Sequence, residues 1–276
     1  MSTNHFRRRL LRLAVAAVAV PVALLPYASA SASTSSPAAA SSFTKVEGAA
    51  ADAAGLQGTV DLYRTLLGDP NNGSALGTQP AGRREINWDG TPDAQSAPNW
   101  LPPNFFNTTV PRGAVFSSAA SSQFQVSADS DNPTATAVRF GNINSTYPAS
   151  FGAFSLQRLF TPIGTNKMSV KFFVPGTTTP AAVKGFGAVF TDVDKAGVTK
   201  IELHDQWGGQ LWWQAVPKGP TANRSLSFLG VKTDADVYEV RITTGNAPLS
   251  SANNDTSSKD IVVMDDFLYG EPKAIS

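Results

Sequence analysis

Apolar and polar residues alternate in short runs through most of the chain from Arg83 onward. Met168, Val170 and Phe172 alternate with Lys167, Ser169 and Lys171; Tyr238, Val240 and Ile242 alternate with Glu239 and Arg241. A period of two puts one set of side chains on a buried face and the other on a wet face, as in antiparallel sheets. Runs rich in Val, Ile, Phe and Thr, separated by Gly, Pro and Asn clusters, predict strands near 84–88, 113–117, 123–127, 136–141, 156–161, 167–174, 183–191, 198–204, 209–216, 225–231, 237–243 and 260–269. This many strands with so little helix predict an all-β fold, a two-sheet antiparallel sandwich of jelly-roll type over residues 83–272. No internal repeat is present.

The segment ahead of the strands has a different texture. Residues 31–54 are mostly Ser, Ala, Thr and Gly and predict a flexible leader, which continues as a loop over 69–82. Between them Val60, Tyr63 and Leu67 recur at helical spacing, and Gly68 is a plausible stop, so one short helix is expected over 59–67. Arg7-Arg8-Arg9 followed by an apolar run to Leu25 and by Ala28-Ser29-Ala30 predicts a signal peptide over 1–30, with Ala30-Ser31-Ala32 as a second cleavage site. The arginines suit either the general secretory route or the twin-arginine route. The polar end Glu271–Ser276 offers no anchor, so a released extracellular protein without a membrane anchor in the mature chain is expected.

Composition narrows the chemistry. The 276 residues include no cysteine, which excludes disulfides, thiol catalysis and zinc–thiolate sites. The net charge is +1, and arginines of the signal region inflate it, so nothing suggests nucleic-acid binding. Only one of the two histidines, His204, lies beyond the signal region, and neither a Gly-x-Ser-x-Gly nor a His-Glu-x-x-His motif occurs.

Several blocks carry a resemblance. They are Arg83–Gly90, Leu101–Asn107, Arg139–Asn144, Gly185–Asp194 and Val262–Pro272. Together they resemble an uncharacterised family of secreted bacterial proteins. That implies a secreted, single-domain β protein and brings no activity with it. More distantly, the strand ending in Asp265-Asp266-Phe267 is similar to the last strand of jelly-roll carbohydrate-binding modules, many of which carry a structural Ca2+. Shared fold alone does not carry function.

Four clusters could carry chemistry. In the strand Ile261–Tyr269, alternation puts Asp265 and Asp266 on opposite faces, so at least one carboxylate sits among apolar neighbours and needs a partner or a metal. Asp192-Val193-Asp194 begins like a calcium loop, but Ala196 and Leu203 stand at ligand positions and exclude an EF-hand. A simpler Ca2+ site on Asp192 and Asp194, with Asp265 or Asp266 added, competes with an ordinary turn and an arginine-paired aspartate. Glu85, Asn87 and Asp89 share one face of a strand and could hold a metal or a sugar, or form an exposed polar face. Trp207 lies in a predicted hairpin turn, and Trp212 and Trp213 point to opposite faces beyond it. Exposed tryptophans would suit sugar rings, whereas packed ones would cover the core.

The combined expectation is a secreted sandwich that binds a polysaccharide or cell-surface glycan through Trp207, Trp212 and Trp213, stabilised by Ca2+. A structural extracellular protein without a small ligand is the alternative. A polysaccharide-active enzyme is third, since Glu202 with Asp205 or Glu239 could supply two acids.

Overall fold

The computed structural model describes residues 40–119 and 123–275; the expected signal peptide over 1–30 and the start of the leader lie outside the described residues. The elements in chain order are β1 (Phe43–Ala50), α1 (Ala53–Leu67), β2 (Arg83–Ile86), β3 (Ala114–Ser117), β4 (Phe124–Val126), α2 (Tyr147–Ser150), β5 (Phe160–Pro162), β6 (Lys167–Phe172), β7 (Ala181–Thr191), β8 (Lys200–His204), β9 (Gln210–Ala215), β10 (Leu226–Val237), β11 (Glu239–Thr243), β12 (Val263–Gly270) and β13 (Lys273–Ala274). Two antiparallel sheets result. One runs β1-β10-β7-β12-β5-β4, with β2 added on β12 and β13 on β7; the other runs β3-β6-β11-β8-β9. The all-β, two-sheet sandwich expected from the alternation is the observed architecture.

The inner faces of both sheets contribute to one large apolar core. Its centre is aromatic. Trp88 stacks on Phe160 with ring centroids 4.0 Å apart, and meets Phe106 and Phe267 edge-on. The indole N–H does not go unpaired, because it donates to the Asp265 carbonyl at 2.8 Å. Ile86 and Trp88 therefore turn inward, as the alternation along 84–88 predicts. The outer face of the five-stranded sheet keeps the polar set. Ser117, Ser169, Arg241, Glu202 and Trp213 lie in register across its five strands.

The helix expected over 59–67 is present, and the flexible leader expected before it is corrected from residue 43 onward. Phe43–Ala50 pairs with β10 over eight register positions, and the helix begins at Ala53 rather than near 59. Asp52 caps it by accepting from the Gly55 N–H, and Gly68 closes it at φ 98°. The small residues that read as flexible are there for close approach: a Cβ at Gly48 would lie 2.8 Å from the Thr59 hydroxyl on α1. Leu56, Val60 and Tyr63 form the buried stripe of the helix. Tyr63 lies over Gly187 and Gly230, which are paired partners on β7 and β10, and donates its hydroxyl to the Val231 carbonyl at 2.9 Å.

Two further segments depart from the pattern. The strand expected at 136–141 is a tight turn, because Arg139 and Phe140 both adopt positive φ and cannot continue a ladder. Phe140 is instead buried with Tyr147, Phe151, Leu159, Leu249, Ile261 and Val263 in a separate cluster. The 69–82 loop is ordered around a fully buried guanidinium. Arg84 donates to both carboxylate oxygens of Glu271 and to the carbonyls of Gly73, Ala75, Gly77 and Pro111.

If β1 and α1 belong to the cooperative domain, Tyr63→Ala should destabilise it about as much as Trp88→Ala, roughly 3–5 kcal/mol for each lost aromatic ring. Urea unfolding monitored by fluorescence and circular dichroism measures both. A loss below about 1 kcal/mol for Tyr63→Ala would place the helix outside the domain.

Candidate functional site

β12 is buried along its whole length, carboxylates included. Between Met264 and Phe267 its register against β7 slips: three steps on β12 face two on β7, from Phe190 to Ala188. This bulge re-aims one side chain. Asp265 and Asp266 therefore do not point to opposite faces as strict alternation requires. Both reach the hydroxyl of Ser155, at 3.1 and 2.7 Å. Asp265 also accepts from the Phe154 N–H at 2.7 Å, and Asp266 lies 3.7 Å from Arg64. Burial, with the charge of Asp266 next, pushes the Asp265 carboxyl well above the usual carboxylate range; burial pushes Asp266 up to about 6. The charge of Asp266 is one cause of the rise at Asp265, so the two carboxyls do not titrate independently.

A metal at Asp265 and Asp266, as expected from the sequence, would have to compete with these internal contacts. The register separates them from Asp192 as well. Asp192 follows Thr191, which faces Val263. The bulge lies a few residues further along β12, roughly 10 Å away at the rise of a strand. The Glu85, Asn87 and Asp89 face packs toward the same bulge. Glu85 is held by Arg64 and Arg83, and Asp89 accepts from Ser155 and from the N–H groups of Gln157 and Arg158. Glu85 and Asp266 do line one polar cavity of ≈ 320 Å³ with Arg64 and Arg112, but both acids are already engaged.

Asp192 is the opposite case. It ends β7 at φ 70°, is fully buried, and neither carboxylate oxygen has a hydrogen-bond donor. One oxygen of Asp194 is likewise buried and unpartnered. The acids around Asp192 are Asp194, Asp255 and Asp260. Burial first, and then the charges of Asp255, Asp194 and Asp260, push Asp192 up to about 9. Asp260 accepts from the N–H groups of Asp194 and Lys195, and Asp255 from that of Ile261. The sequence pattern missed Asp255 and Asp260 because they lie in an irregular loop more than 60 residues from Asp192. Among the described residues, no three His, Cys, Asp or Glu side chains already stand at metal-ligand spacing.

The three tryptophans separate. Trp212 faces Leu203 across the ladder and packs against the main core. Trp213 faces Glu202 on the outer surface and is 56% exposed. Trp207 is 83% exposed at the tip of the β8–β9 hairpin. The tip is rigidly built: the Asp205 carboxylate accepts from the N–H groups of Trp207 and Gly209, and Gly208 takes φ 85°. Trp207 lines a cavity of ≈ 330 Å³ with Tyr238, Asp205, Gln206, Lys184 and Asp236. Tyr238 had no motif to mark it, since alternation placed it simply among apolar strand residues. Glu202 pairs with Lys200 and lies 3.6 Å from His204, and Glu239 pairs with Arg241, so these acids are engaged too. No protein-family model, no curated protein and no solved structure matches the chain.

The raised carboxyls fix the direction of a pH dependence. An unfolded aspartate titrates near 3.9. Between that pH and the higher folded values, the native state holds protons that the unfolded chain has released, so stability falls as pH rises. The contribution is complete below about pH 4 and lost upward through about 6 for Asp266, and higher for Asp265. Asp192 and Asp255 act in the same direction. In chelator-treated buffer the melting midpoint should be higher at pH 5 than at pH 8, and Asp266→Asn should flatten part of that slope. A midpoint that is level or rising from pH 5 to pH 8 would contradict the raised carboxyls.

Proposed function

We propose that this protein is a secreted β-sandwich that binds a neutral glycan at the hairpin end, with Trp207 as the ring-stacking platform and Tyr238 and the polar side chains of the adjoining cavity as its rim. The observation that carries this reading is the presentation of Trp207. A large indole is held almost entirely in solvent on a turn whose backbone is fixed by hydrogen bonds to the Asp205 carboxylate. An apolar face beside hydroxyl-seeking groups matches the two-sided chemistry of a pyranose ring. The rim carries both charge signs, and Lys184 is paired with Asp236 at 2.8 Å, which favours an uncharged ligand over an anionic one.

Trp213 stands on a different surface, among the charged residues of the wet face, and Trp212 supports the core beneath it. The proposed site therefore uses one of the three tryptophans. A panel of soluble neutral polysaccharides tested by affinity electrophoresis and calorimetry should yield at least one ligand. Trp207→Ala should weaken that ligand at least ten-fold, about 1.4 kcal/mol, while Trp213→Ala should stay within two-fold. Equal affinity of the Trp207→Ala protein would contradict the site. No binding across the panel would favour a structural extracellular role.

A further inference from the structure

Buried carboxylates elsewhere in this domain all have donors. Asp265 has the Phe154 N–H, Asp266 lies within reach of the Ser155 hydroxyl and 3.7 Å from Arg64, Asp260 has two backbone N–H groups, and Glu271 has Arg84. Asp192 alone among these has two buried oxygens with no donor, and Asp194 beside it adds a third. A buried carboxylate without a hydrogen bond or counter-charge is among the most unfavourable groups a fold can carry. Natural structures explain such groups by a bound ion or another specific role.

The surroundings specify which ion. We propose that a calcium ion binds at the carboxylates of Asp192 and Asp194, in the pocket between the 192–195 turn and the 255–260 loop, with Asp255 and Asp260 as the outlying acids. Two loops distant in sequence are already locked together there. The Asp194 and Lys195 N–H groups donate to Asp260, and Lys195 Nζ donates to the Ser257 carbonyl at 2.6 Å. The turn is fixed on its other side by the Asp192 N–H on the Ser225 carbonyl and the Gly219 N–H on the Val193 carbonyl. Of the four acids only Asp194 reaches an open cavity, of ≈ 320 Å³, which Lys195 and Lys218 also line; Asp192 is buried outside its lining.

The donors are oxygens, and no cysteine exists in the chain to supply sulfur. That selects a hard cation. Ca2+ accepts six to eight oxygens in irregular arrangements, mixing carboxylates, carbonyls and water, whereas Mg2+ demands a near-ideal octahedron. Two carboxylates and two outlying acids on separate loops suit the more tolerant ion. An ion that binds only the folded state stabilises it by mass action. This site is independent of the proposed glycan cavity, which shares none of its four acids.

Calorimetric titration of the chelator-stripped protein with CaCl2 at neutral pH should show saturable one-site binding. At about 100-fold excess over Kd the melting midpoint should rise by roughly 5–10 °C and return on addition of EGTA. Asp192→Asn should abolish both effects, and Asp265→Asn should retain them. Should Asp192→Asn fail to fold, Asp194→Asn carries the same expectation. Identical midpoints in CaCl2 and EGTA with no binding heat would overturn the site. Full response in a folded Asp192→Asn or Asp194→Asn protein would do the same, and an equal response to MgCl2 at equal concentration would overturn the assignment to calcium.

Discussion

The organisation of this domain depends on keeping carboxylates in the interior of a β-sheet. β12 is the hub of the larger sheet, paired on its two edges with β7, β5 and β2 and buried throughout. With its flanks it carries Asp260, Asp265, Asp266 and Glu271, all of them buried. Each must be neutralised locally, since the low-dielectric interior offers no water to do it. The surrounding loops are arranged to that end. The 69–82 loop wraps Arg84 so that it can meet Glu271. The 154–157 segment supplies Ser155 and two backbone N–H groups to Asp265. The β12 bulge brings Asp265 and Asp266 onto one hydroxyl. Much of the irregular chain is therefore ordered by charge compensation around one strand.

Alternation made the sandwich legible. Residues 167–172, 200–203 and 239–243 follow a strict two-residue period because one sheet face meets the core and the other meets water. Where that contrast disappears, the pattern fails. β1 is rich in small residues that allow α1 to approach, so it read as a leader. Segment 136–141 has strand-like residues, but Arg139 and Phe140 take positive φ, which composition alone does not reveal. That at least one of Asp265 and Asp266 is buried is legible from their apolar neighbours; both are. Their common orientation is not legible, because a bulge shifts the period by one residue without altering composition. Asp192 and Asp194 were visible as a pair, while Asp255 and Asp260 join them only through tertiary structure.

The proposed functional features occupy places where the fold departs from simple compensation. Trp207 is a large apolar side chain deliberately kept out of the core by an Asp205-centred turn. Asp192 is a carboxyl group kept inside the core without a hydrogen-bond partner. A sequence that specifies one structure satisfies most local rules and breaks them mainly at working sites. The sandwich frames both features: one end presents an exposed indole, and a pair of loops leaves carboxylate oxygens without donors.

The central claim is that the carboxylates along β12 are compensated from within the protein, whereas Asp192 is compensated from outside it. A high-resolution crystal structure grown with calcium tests this most directly. The account predicts an ion at about 2.3–2.6 Å from the Asp192 and Asp194 carboxylate oxygens and none at Asp265 or Asp266. An ion at the Asp265–Asp266 bulge, or Asp192 without one in saturating calcium, would contradict it.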